Sequence, residues 1–334
     1  GNQMLRAFAV SRNIPVKNVG TLVVAQEEKE IGVLEDLLRR GLANGVPGIE
    51  IIDRFKLREM EPNAMGLAAL HAPTGAIIDG RTYVEQLAQE AKEKGVRFLF
   101  IHKVIAVEEA PRGYQIVVKT SASRLVLDVS RVINCAGLYA DTIAHMTGVG
   151  LDYTIVPFRG EYYSLKPDRS SIIKSMIYPV PDLKYPFLGV HWTKKINGGV
   201  AVGPNAVLAF GRESYRLTDI RLGECLAMIA GSAFLKMAGK LEFWKLAIGQ
   251  IRLSASKTRF LKEASRLVRG CRVEDLLPGS AGNRAQLINA DGKFVDYIVV
   301  EKKDASIHIL NAVSPGLTSS LPFAEHIVEM ALNL

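Results

Sequence analysis

The spacing of apolar positions predicts alternating helices and strands from the first residues onward. Residues 1–12 are typical of the end of a helix, and the β-branched run at residues 21–25 predicts a short strand. Residues 26–44 carry apolar side chains at helical spacing. A strand at residues 49–52 and a short helix at residues 53–60 complete this stretch, which therefore indicates a mixed fold.

The stretch that follows Asp79 carries the clearest signal of fold. Asp79 is placed to cap a helix over residues 81–94, whose apolar positions lie on one face. Next come four predicted short strands and a buried apolar strand that ends in Ala-Gly: VRFLFI (residues 96–101), KVIAVEEA, YQIVVKT, RLVLDV and RVINCAG. A helix, a small β-meander and such a strand are typical of one half of a dinucleotide-binding domain.

The second half of the chain changes character twice. Residues 151–211 are extended and rich in Tyr, Val, Ile and Pro, whereas residues 217–268 are predominantly helical. Strands return after Pro278, and a helix from about Pro322 ends the chain. Because strand-rich and helical stretches alternate, we predict an α+β / α/β fold with two interleaved domains, each built from separated segments.

Composition limits the class of protein. A chain of 334 residues with 48% apolar and 23% charged residues is long enough for two packed domains and is not disordered. No stretch reaches the ~20 apolar residues of a membrane span, and residues 222–249, interrupted by Glu and Lys, predict amphipathic helices. The three cysteines form no CxxC pair, so we expect no disulfide framework, no metal site and a reducing, cytoplasmic location.

The formal net charge of +8 suits nucleic acid, an anionic membrane or anionic substrates as partners. The basic residues are scattered and form no nucleic-acid-binding motif, so we expect no nucleic-acid partner. A solvated basic surface is the simplest interpretation. Peripheral contact with the inner membrane through residues 222–249 is the alternative that the sequence leaves open.

Four segments carry the chemical motifs. INCAGLYAD (residues 133–141) ends a strand in small residues, which let a dinucleotide approach the backbone. The others are VPFRGEYYSL (residues 156–165), the run from IYPVPD through PFLGVHW to GPNAVLAF (residues 177–210), and LLPGSAGNRAQLINADGKFVDYIV with HILNAVSPGLTSSL. Through these motifs essentially the whole chain resembles the L-2-hydroxyglutarate dehydrogenase/oxidase family of the D-amino-acid oxidase-like group.

The resemblance implies FAD as the cofactor and oxidation of L-2-hydroxyglutarate to 2-oxoglutarate, with hydride transfer to flavin N5. It also implies a small dicarboxylate substrate and an electron acceptor, either oxygen or the quinone pool. A related oxidase of another 2-hydroxy acid or of an amine acid is the alternative function. Segments 1–15, 73–150 and 275–334 are then expected to form a Rossmann-like FAD-binding domain, and segments 16–72 and 151–274 a substrate domain with a mixed or antiparallel sheet and helices.

The sequence departs from the family pattern at several positions. Asn283 stands where the family's Arg-Ala-Gln motif has an apolar residue, Val313 replaces a proline, and Gly316-Leu317 replaces two alanines. The family's G-x-G-x-x-G turn, which holds the FAD pyrophosphate at a helix N-terminus, does not occur in these 334 residues. We therefore expect an FAD-binding domain that is incomplete at its N-terminus. The chain is then truncated, a fragment, or one part of a split assembly that is inactive until a separate segment supplies the turn.

The candidate substrate residues follow from the chemistry of a hydroxy acid. Arginine binds a carboxylate bidentately, and Arg284 matches the family's carboxylate-binding Gly-x-Arg motif. Arg159 either holds a distal carboxylate or braces a strand end. His191, in PFLGVHW, is the candidate base because histidine titrates near neutral pH, with His71 as a second candidate. Tyr178 is expected to line the pocket, although aromatic residues in strands more often belong to a core.

The candidate cofactor contacts come from the meander and from two of the motifs. They are Val104, Cys135, Ala136, Gly137, Asp141, Ser314, Pro315, Gly316, Leu317 and Thr318. In this interpretation residues 314–318 form a turn before the last helix. The amides at that helix N-terminus face the pyrimidine edge of the flavin and favour negative charge there.

Overall fold

A computed structural model describes residues 1–182 and 187–333; residues 183–186, within the third motif, lie outside the described residues. The helices in these ranges are α1 (Asn2–Ser11), α2 (Ile31–Ala43), α3 (Arg54–Met60), α4 (Gly80–Glu93), α5 (Ala140–Met146), α6 (Leu222–Ala230), α7 (Ser232–Ala238), α8 (Leu241–Ser254), α9 (Lys257–Ala264) and α10 (Ser320–Leu332). The strands are β1 (Val16–Asn18), β2 (Thr21–Ala25), β3 (Glu50–Asp53), β4 (Ala68–Ala72), β5 (Ala76–Ile78), β6 (Lys103–Ala110), β7 (Gly113–Lys119), β8 (Arg124–Val129), β9 (Val132–Asn134), β10 (Tyr153–Leu165), β11 (Met176–Pro179), β12 (His191–Lys194), β13 (Val200–Gly203), β14 (Val207–Leu208), β15 (Leu276–Asn289), β16 (Val299–Lys303) and β17 (Ser306–Asn311).

A large mixed sheet organises the fold. Its strand order is β14-β10-β13-β12-β11-β2-β4-β3, with β15 also paired to β10. Every pairing is antiparallel except that of β11 with β2. Because side chains alternate between the faces of a strand, Leu22, Ile177 and Trp192 point to one side, where Phe260 of α9 joins them in the main core. The predicted mixed sheet is confirmed.

A small sheet contains the strand that ends in INCAG. Here β9 runs parallel to β17, and β17 pairs antiparallel with β16. A separate meander joins β6, β7 and β8, and a two-stranded ribbon joins β1 to β5. Among the described residues β9 pairs on one side only, and its central Ile133 is 43% exposed. This sheet therefore presents an open edge.

The strand predicted at VRFLFI does not form, so this prediction was wrong. Residues 96–101 have no strand partner among the described residues, and Ile101 has a φ of 59°. Phe100 is 68% exposed and Ile101 89% exposed. Strand propensity alone does not make a strand, because the backbone N–H and C=O groups need a neighbouring ladder.

The predicted start of helix α4 agrees with the structure better than the strand predicted at residues 96–101. Asp79 caps α4 as predicted, since its side chain accepts hydrogen bonds from the amides of Arg81 and Thr82. Residues 276–289, which were assigned to the FAD-binding segment, form β15 and pair along β10 in the large sheet. The assignment of these residues and the rest of the division into domains stay predictions.

In the part of the chain that the structure describes, no helix is long and apolar enough to cross a bilayer.

Candidate active site

The turn after β9 has the geometry that its small residues predict. The chain leaves Asn134 through Cys135 and Ala136, and Gly137 adopts a φ of +55° before a 3-10 turn leads into α5. A Cβ at Gly137 would meet nothing within 4 Å. The glycine is therefore needed for its backbone conformation rather than for space.

A cavity of about 1150 Å³ lies beside this turn. Among the predicted cofactor residues, its wall contains Val104, Cys135, Ala136 and Asp141, but neither Gly137 nor residues 314–318. This volume is somewhat larger than the roughly 300–1,000 Å³ typical of small-molecule and cofactor pockets. The structure therefore brings the meander and the β9 turn together in one concave site.

Asp141 makes contacts that its motif did not predict. Its carboxylate receives Nη1 of Arg212 at 2.6 Å and Nη2 at 2.9 Å. It also accepts hydrogen bonds from the amides of Thr142 at 2.7 Å and Ile155 at 2.8 Å. Both oxygens are thus occupied within the chain, so Asp141 holds Arg212 in the cavity wall. Arg212 is not apparent from the sequence, because no local pattern links it to a partner 71 positions away.

The predicted turn at residues 314–318 lies before α10 and away from the lining of this cavity. A Cβ built on Gly80 would lie 3.3 Å from the Leu317 side chain. The Tyr83 hydroxyl is 2.9 Å from Oγ of Ser320, at the start of α10. Contacts with α4 therefore hold the N-terminal end of α10 in place.

A second group of predicted residues meets on the large sheet. The register pairs His191 with Gly203, and it places Tyr162 next to Gly203 and Tyr178 next to His191. The rings of Tyr178 and His191 lie 4.4 Å apart. Gly203 has a φ of +134°, and a Cβ there would approach Cα of Tyr162 to 3.2 Å. The same Cβ would lie 2.8 Å from the Glu161 carbonyl oxygen, so glycine is needed here for its backbone conformation and for the close approach of β10.

His191 is held as a neutral base. Its Nδ1 lies 2.9 Å from the carbonyl oxygen of Gly189, and since a carbonyl only accepts, Nδ1 carries the proton and Nε2 keeps a free lone pair. Burial lowers the pKa of His191 to about 4; the Gly189 hydrogen bond opposes this shift, and the charge of Arg284 adds to it. The imidazole is therefore uncharged at neutral pH and able to accept a proton.

Arg284 lies beside this histidine without a carboxylate partner. Its Nη1 is 3.4 Å from the carbonyl oxygen of Asn205, and its guanidinium is 5.5 Å from the centre of the Phe187 ring. Burial lowers its pKa, and none of the ion pairs among the described residues includes it. A largely buried cation is costly unless an anion accompanies it, so Arg284 is suited to receive a carboxylate from a ligand.

Arg159 does not join this group. It pairs with Asn283, whereas Arg284 pairs with Phe158, so the two arginines lie on opposite faces of the sheet. Arg159 is fully buried; its Nη2 lies 2.8 Å from Oε1 of Glu161, and its Nη1 donates to the Arg216 carbonyl at 3.0 Å. These contacts make Arg159 a brace within the sheet, which corrects the expectation that it holds a distal carboxylate.

Glu161 and Asn205 form a support that the sequence did not reveal. The Asn205 side chain donates to Oε2 of Glu161 at 2.8 Å and accepts from the Glu161 amide at 2.8 Å. The carbonyl of the same asparagine faces Arg284. The Arg159–Glu161 ion pair therefore connects, through Asn205, to the unpaired arginine on the other face. Contacts across 44 residues leave no local signal in the sequence.

A mixed sheet that carries a neutral histidine beside an arginine with no ion pair among the described residues, next to a strand-turn-helix of dinucleotide-binding type, is the arrangement expected of a two-domain dinucleotide-dependent oxidoreductase. The family model described as FAD dependent oxidoreductase matches residues 1–330. An L-2-hydroxyglutarate dehydrogenase of Indibacter alkaliphilus is 38% identical over 334 residues, which is 100% of this chain and 82% of that protein. The one from Salmonella houtenae is 37% identical over 98% of this chain and 76% of its own length. The chain therefore belongs to the FAD-dependent oxidoreductase family and, within it, to the L-2-hydroxyglutarate dehydrogenases.

Solved structures agree on the fold. L-alpha-glycerophosphate oxidase from Mycoplasma pneumoniae, with FAD bound, superimposes with a TM-score of 0.72 at 21% identity, covering 98% of this chain and 78% of that one. Glycine oxidase from Geobacillus kaustophilus gives a TM-score of 0.69 at 14% identity, covering 99% and 76%. These structures confirm the predicted fold class, and the family model confirms the FAD cofactor.

Proposed function

We propose that this chain oxidises L-2-hydroxyglutarate to 2-oxoglutarate. The observation that carries the proposal is the proximity of Arg284, a cation without a carboxylate partner, to His191, a neutral base, on one face of the large sheet. One group suits the substrate carboxylate and the other suits the hydroxyl proton. The relatives named L-2-hydroxyglutarate dehydrogenase supply the substrate.

Each residue in the proposed substrate site has a separate task. Arg284 binds the carboxylate next to C2, and Nε2 of His191 takes the proton from the C2 hydroxyl. Tyr178 lies against the imidazole ring and restricts its orientation. When bound, FAD supplies the acceptor for the hydride that leaves C2. A hydride and a proton together account for the two hydrogens that the hydroxy acid loses.

The residues beside the cavity fit the dinucleotide. We assign the cofactor wall to Val104, Cys135 and Ala136, and Gly137 sets the backbone conformation of the turn beside them. Arg212 is paired with Asp141, and its N–H groups outside that ion pair suit a phosphate oxygen. Residues 314–318 stay assigned to the flavin, since the 13-residue helix α10 begins directly after them and its amides favour negative charge.

The direct test is dye reduction by the purified protein. We expect L-2-hydroxyglutarate to reduce the dye and to bleach the visible flavin bands, whereas L-lactate and glycine do so far more slowly. A protein with bound flavin that ignores L-2-hydroxyglutarate but responds to glycine would instead support an amine oxidase. A colourless protein would show that these residues do not hold FAD unaided.

The electron acceptor is either oxygen or a quinone. Hydrogen peroxide formed in step with 2-oxoglutarate would identify oxygen. Reduction of a soluble quinone analogue without peroxide would identify the quinone pool.

A further inference from the structure

The strand register arranges the side chains near His191 in two neighbouring rows. The first row crosses the large sheet where Gly203 pairs with His191. The second row lies two residues further along the strands, where Ala201 pairs with Thr193 on one side and with Ser164 on the other. Because side chains alternate between the faces of a strand, both rows face the same side of the sheet, about 6.6 Å apart.

Arg284 lies on the side of the first row that is away from the second row. It pairs with Phe158, which precedes Tyr162 and Ser164 on β10. Its guanidinium extends toward the first row, because its charge acts on two side chains there. Burial lowers the pKa of His191 to about 4, and the charge of Arg284 adds to that shift. Burial also raises the pKa of Tyr162, and the same charge opposes that rise.

Lys195 lies beyond the second row, at the opposite end from Arg284. It directly follows β12, and its amide donates to the Gly199 carbonyl at 2.8 Å. Its side chain turns back toward the second row, since Nζ lies 3.4 Å from Oγ of Ser164. None of the ion pairs within residues 1–182 and 187–333 includes Lys195. Lys195 therefore offers a positive charge and N–H donors beside the Ser164 hydroxyl.

Tyr178 connects the two rows. Its ring lies 4.4 Å from the imidazole ring of His191 in the first row. Burial raises the pKa of Tyr178, and a hydrogen bond with Thr193, in the second row, opposes that rise. The proposed base and the second row therefore line one continuous surface of the sheet.

The spacing of the two rows fits a five-carbon dicarboxylate. Four C–C bonds of about 1.5 Å separate its carboxyl carbons, which lie about 5 Å apart when the chain is extended. With one carboxylate on Arg284 and the C2 hydroxyl beside His191, a substrate that runs along the strands brings its other carboxylate to the second row. The cation at that end is Lys195.

We propose that Lys195 and Ser164 hold the distal carboxylate and thereby select a dicarboxylate substrate. Lys195 supplies the opposite charge, and the Ser164 hydroxyl donates a hydrogen bond. This inference rests on the proposed function, because it assigns the far end of the same substrate site. It gives Lys195 the task for which Arg159, on the other face of the sheet, is unsuited.

Ligand-observed NMR titration with two unreactive acids tests this assignment. Glutarate carries both carboxylates, whereas pentanoate has the same number of carbon atoms and lacks the second one. We expect Lys195→Met to weaken glutarate binding about fivefold, a modest factor because solvent partly screens the pair. Pentanoate binding should not change. Lys195→Arg should retain glutarate binding, since it keeps the charge, and Ser164→Ala should weaken it less than Lys195→Met does.

Lys194→Met is the matched control, because it removes the same charge from the neighbouring position. Lys194 pairs with Val200, a core residue, and its Nζ donates to the Ser170 carbonyl on that other face. Its substitution should change glutarate affinity less than about twofold, the effect of a charge that acts only through solvent. Circular dichroism melting confirms that each variant is folded.

Three results would overturn the proposal: no glutarate binding by the unchanged protein, unchanged affinity in Lys195→Met, or equal weakening in Lys195→Met and Lys194→Met. Dye reduction separates this inference from the proposed function. A protein that binds glutarate through Lys195 but does not oxidise L-2-hydroxyglutarate would refute only the proposed function. Turnover of L-2-hydroxyglutarate with an unchanged KM and an unchanged glutarate affinity in Lys195→Met would refute only the role of Lys195.

Discussion

The large sheet and the small sheet form their sites by different means. On the large sheet, strand register brings the side chains of Tyr162, His191 and Tyr178 into one row, and each is fixed by neighbours on both sides. Around β9, the expected cofactor contacts come from small residues and an open strand edge. The proposed substrate site therefore depends on side chains, whereas the proposed cofactor region depends on backbone conformation.

An ion pair between Arg212 and Asp141 links the two regions. Arg212, in the segment after β14, binds Asp141 at the start of α5 through both guanidinium nitrogens. Asn283 of β15 holds the same segment, because its side-chain amide donates to the Arg212 carbonyl at 2.9 Å. Substitutions in each region and at this link test whether the two regions behave separately.

The largest effect is expected on the large sheet. His191→Asn retains a donor for the Gly189 carbonyl but removes the lone pair that accepts the proton. We expect kcat to fall about 100- to 10,000-fold, the usual contribution of a positioned base, with little change in FAD absorbance. Stopped-flow measurement of flavin bleaching by L-2-hydroxyglutarate gives the rate.

His71→Asn is the matched control for this prediction. His71 pairs with Leu22 in the sheet and so lies on the face opposite His191. Its substitution should change the bleaching rate less than about twofold, in line with a residue away from the chemistry. A large rate loss in His71→Asn with a normal rate in His191→Asn would instead identify His71 as the base.

The second-largest effect is expected when the ion pair between Arg212 and Asp141 is removed. Arg212→Ala leaves the carboxylate of Asp141, 3% exposed, buried without its cation. We expect a loss of about 3 kcal/mol in the free energy of unfolding, since breaking a buried pair strands a charge, and weaker FAD retention. Urea unfolding and the ratio of flavin to protein absorbance measure the two effects.

An exposed ion pair supplies the control for that loss. Arg266 lies 3.2 Å from Glu263 at the surface. Arg266→Ala should cost no more than about 0.5 kcal/mol, because solvent screens such a pair. Equal losses at Arg212 and Arg266 would show that the link contributes no more than a surface pair.

Local patterns predicted most of the helices and motif positions, but not long-range contacts. Asp79 gave the correct start of α4 because a cap and its helix are neighbours in sequence. The strand at residues 96–101 failed because a strand needs a partner from elsewhere. Arg159 and Arg284 have the same side chain, and only the pairing with β10 places them on opposite faces. The types of the candidate residues could thus be predicted from the sequence. The face of the sheet on which each side chain lies could be determined only from the strand register.

Each region contains one buried histidine, and the free energy of unfolding in acid allows the two histidines to be compared. Burial lowers the pKa of both His191 and His308 to about 4, below the value of 6.5 in an unfolded chain. As pH falls from 6.5 to 4, the unfolded chain therefore binds protons that the folded chain does not, and stability is lost through that window. At pH 5 each histidine should cost about 2 kcal/mol.

His191→Gln and His308→Gln separate the two contributions. Each variant should show a smaller difference between its unfolding free energies at pH 7 and pH 5 than the unchanged protein, whatever its stability at pH 7. Urea titrations at both pH values measure this difference. If one variant keeps the full pH dependence, the pKa of the histidine it replaces is not lowered in the folded chain.

The smallest effect tests how Arg284 recognises its ligand. Arg284→Lys keeps the positive charge but replaces a planar fork with a point charge, so a bidentate contact becomes a single one. We expect KM for L-2-hydroxyglutarate to rise about tenfold, equivalent to about 1.4 kcal/mol, with kcat nearly unchanged. Arg221→Lys, at an arginine that is 56% exposed, should leave both constants alone. An unchanged KM in Arg284→Lys would reject bidentate binding, and because His191 lies on the same face, it would also remove the reason for placing the C2 hydroxyl beside that base.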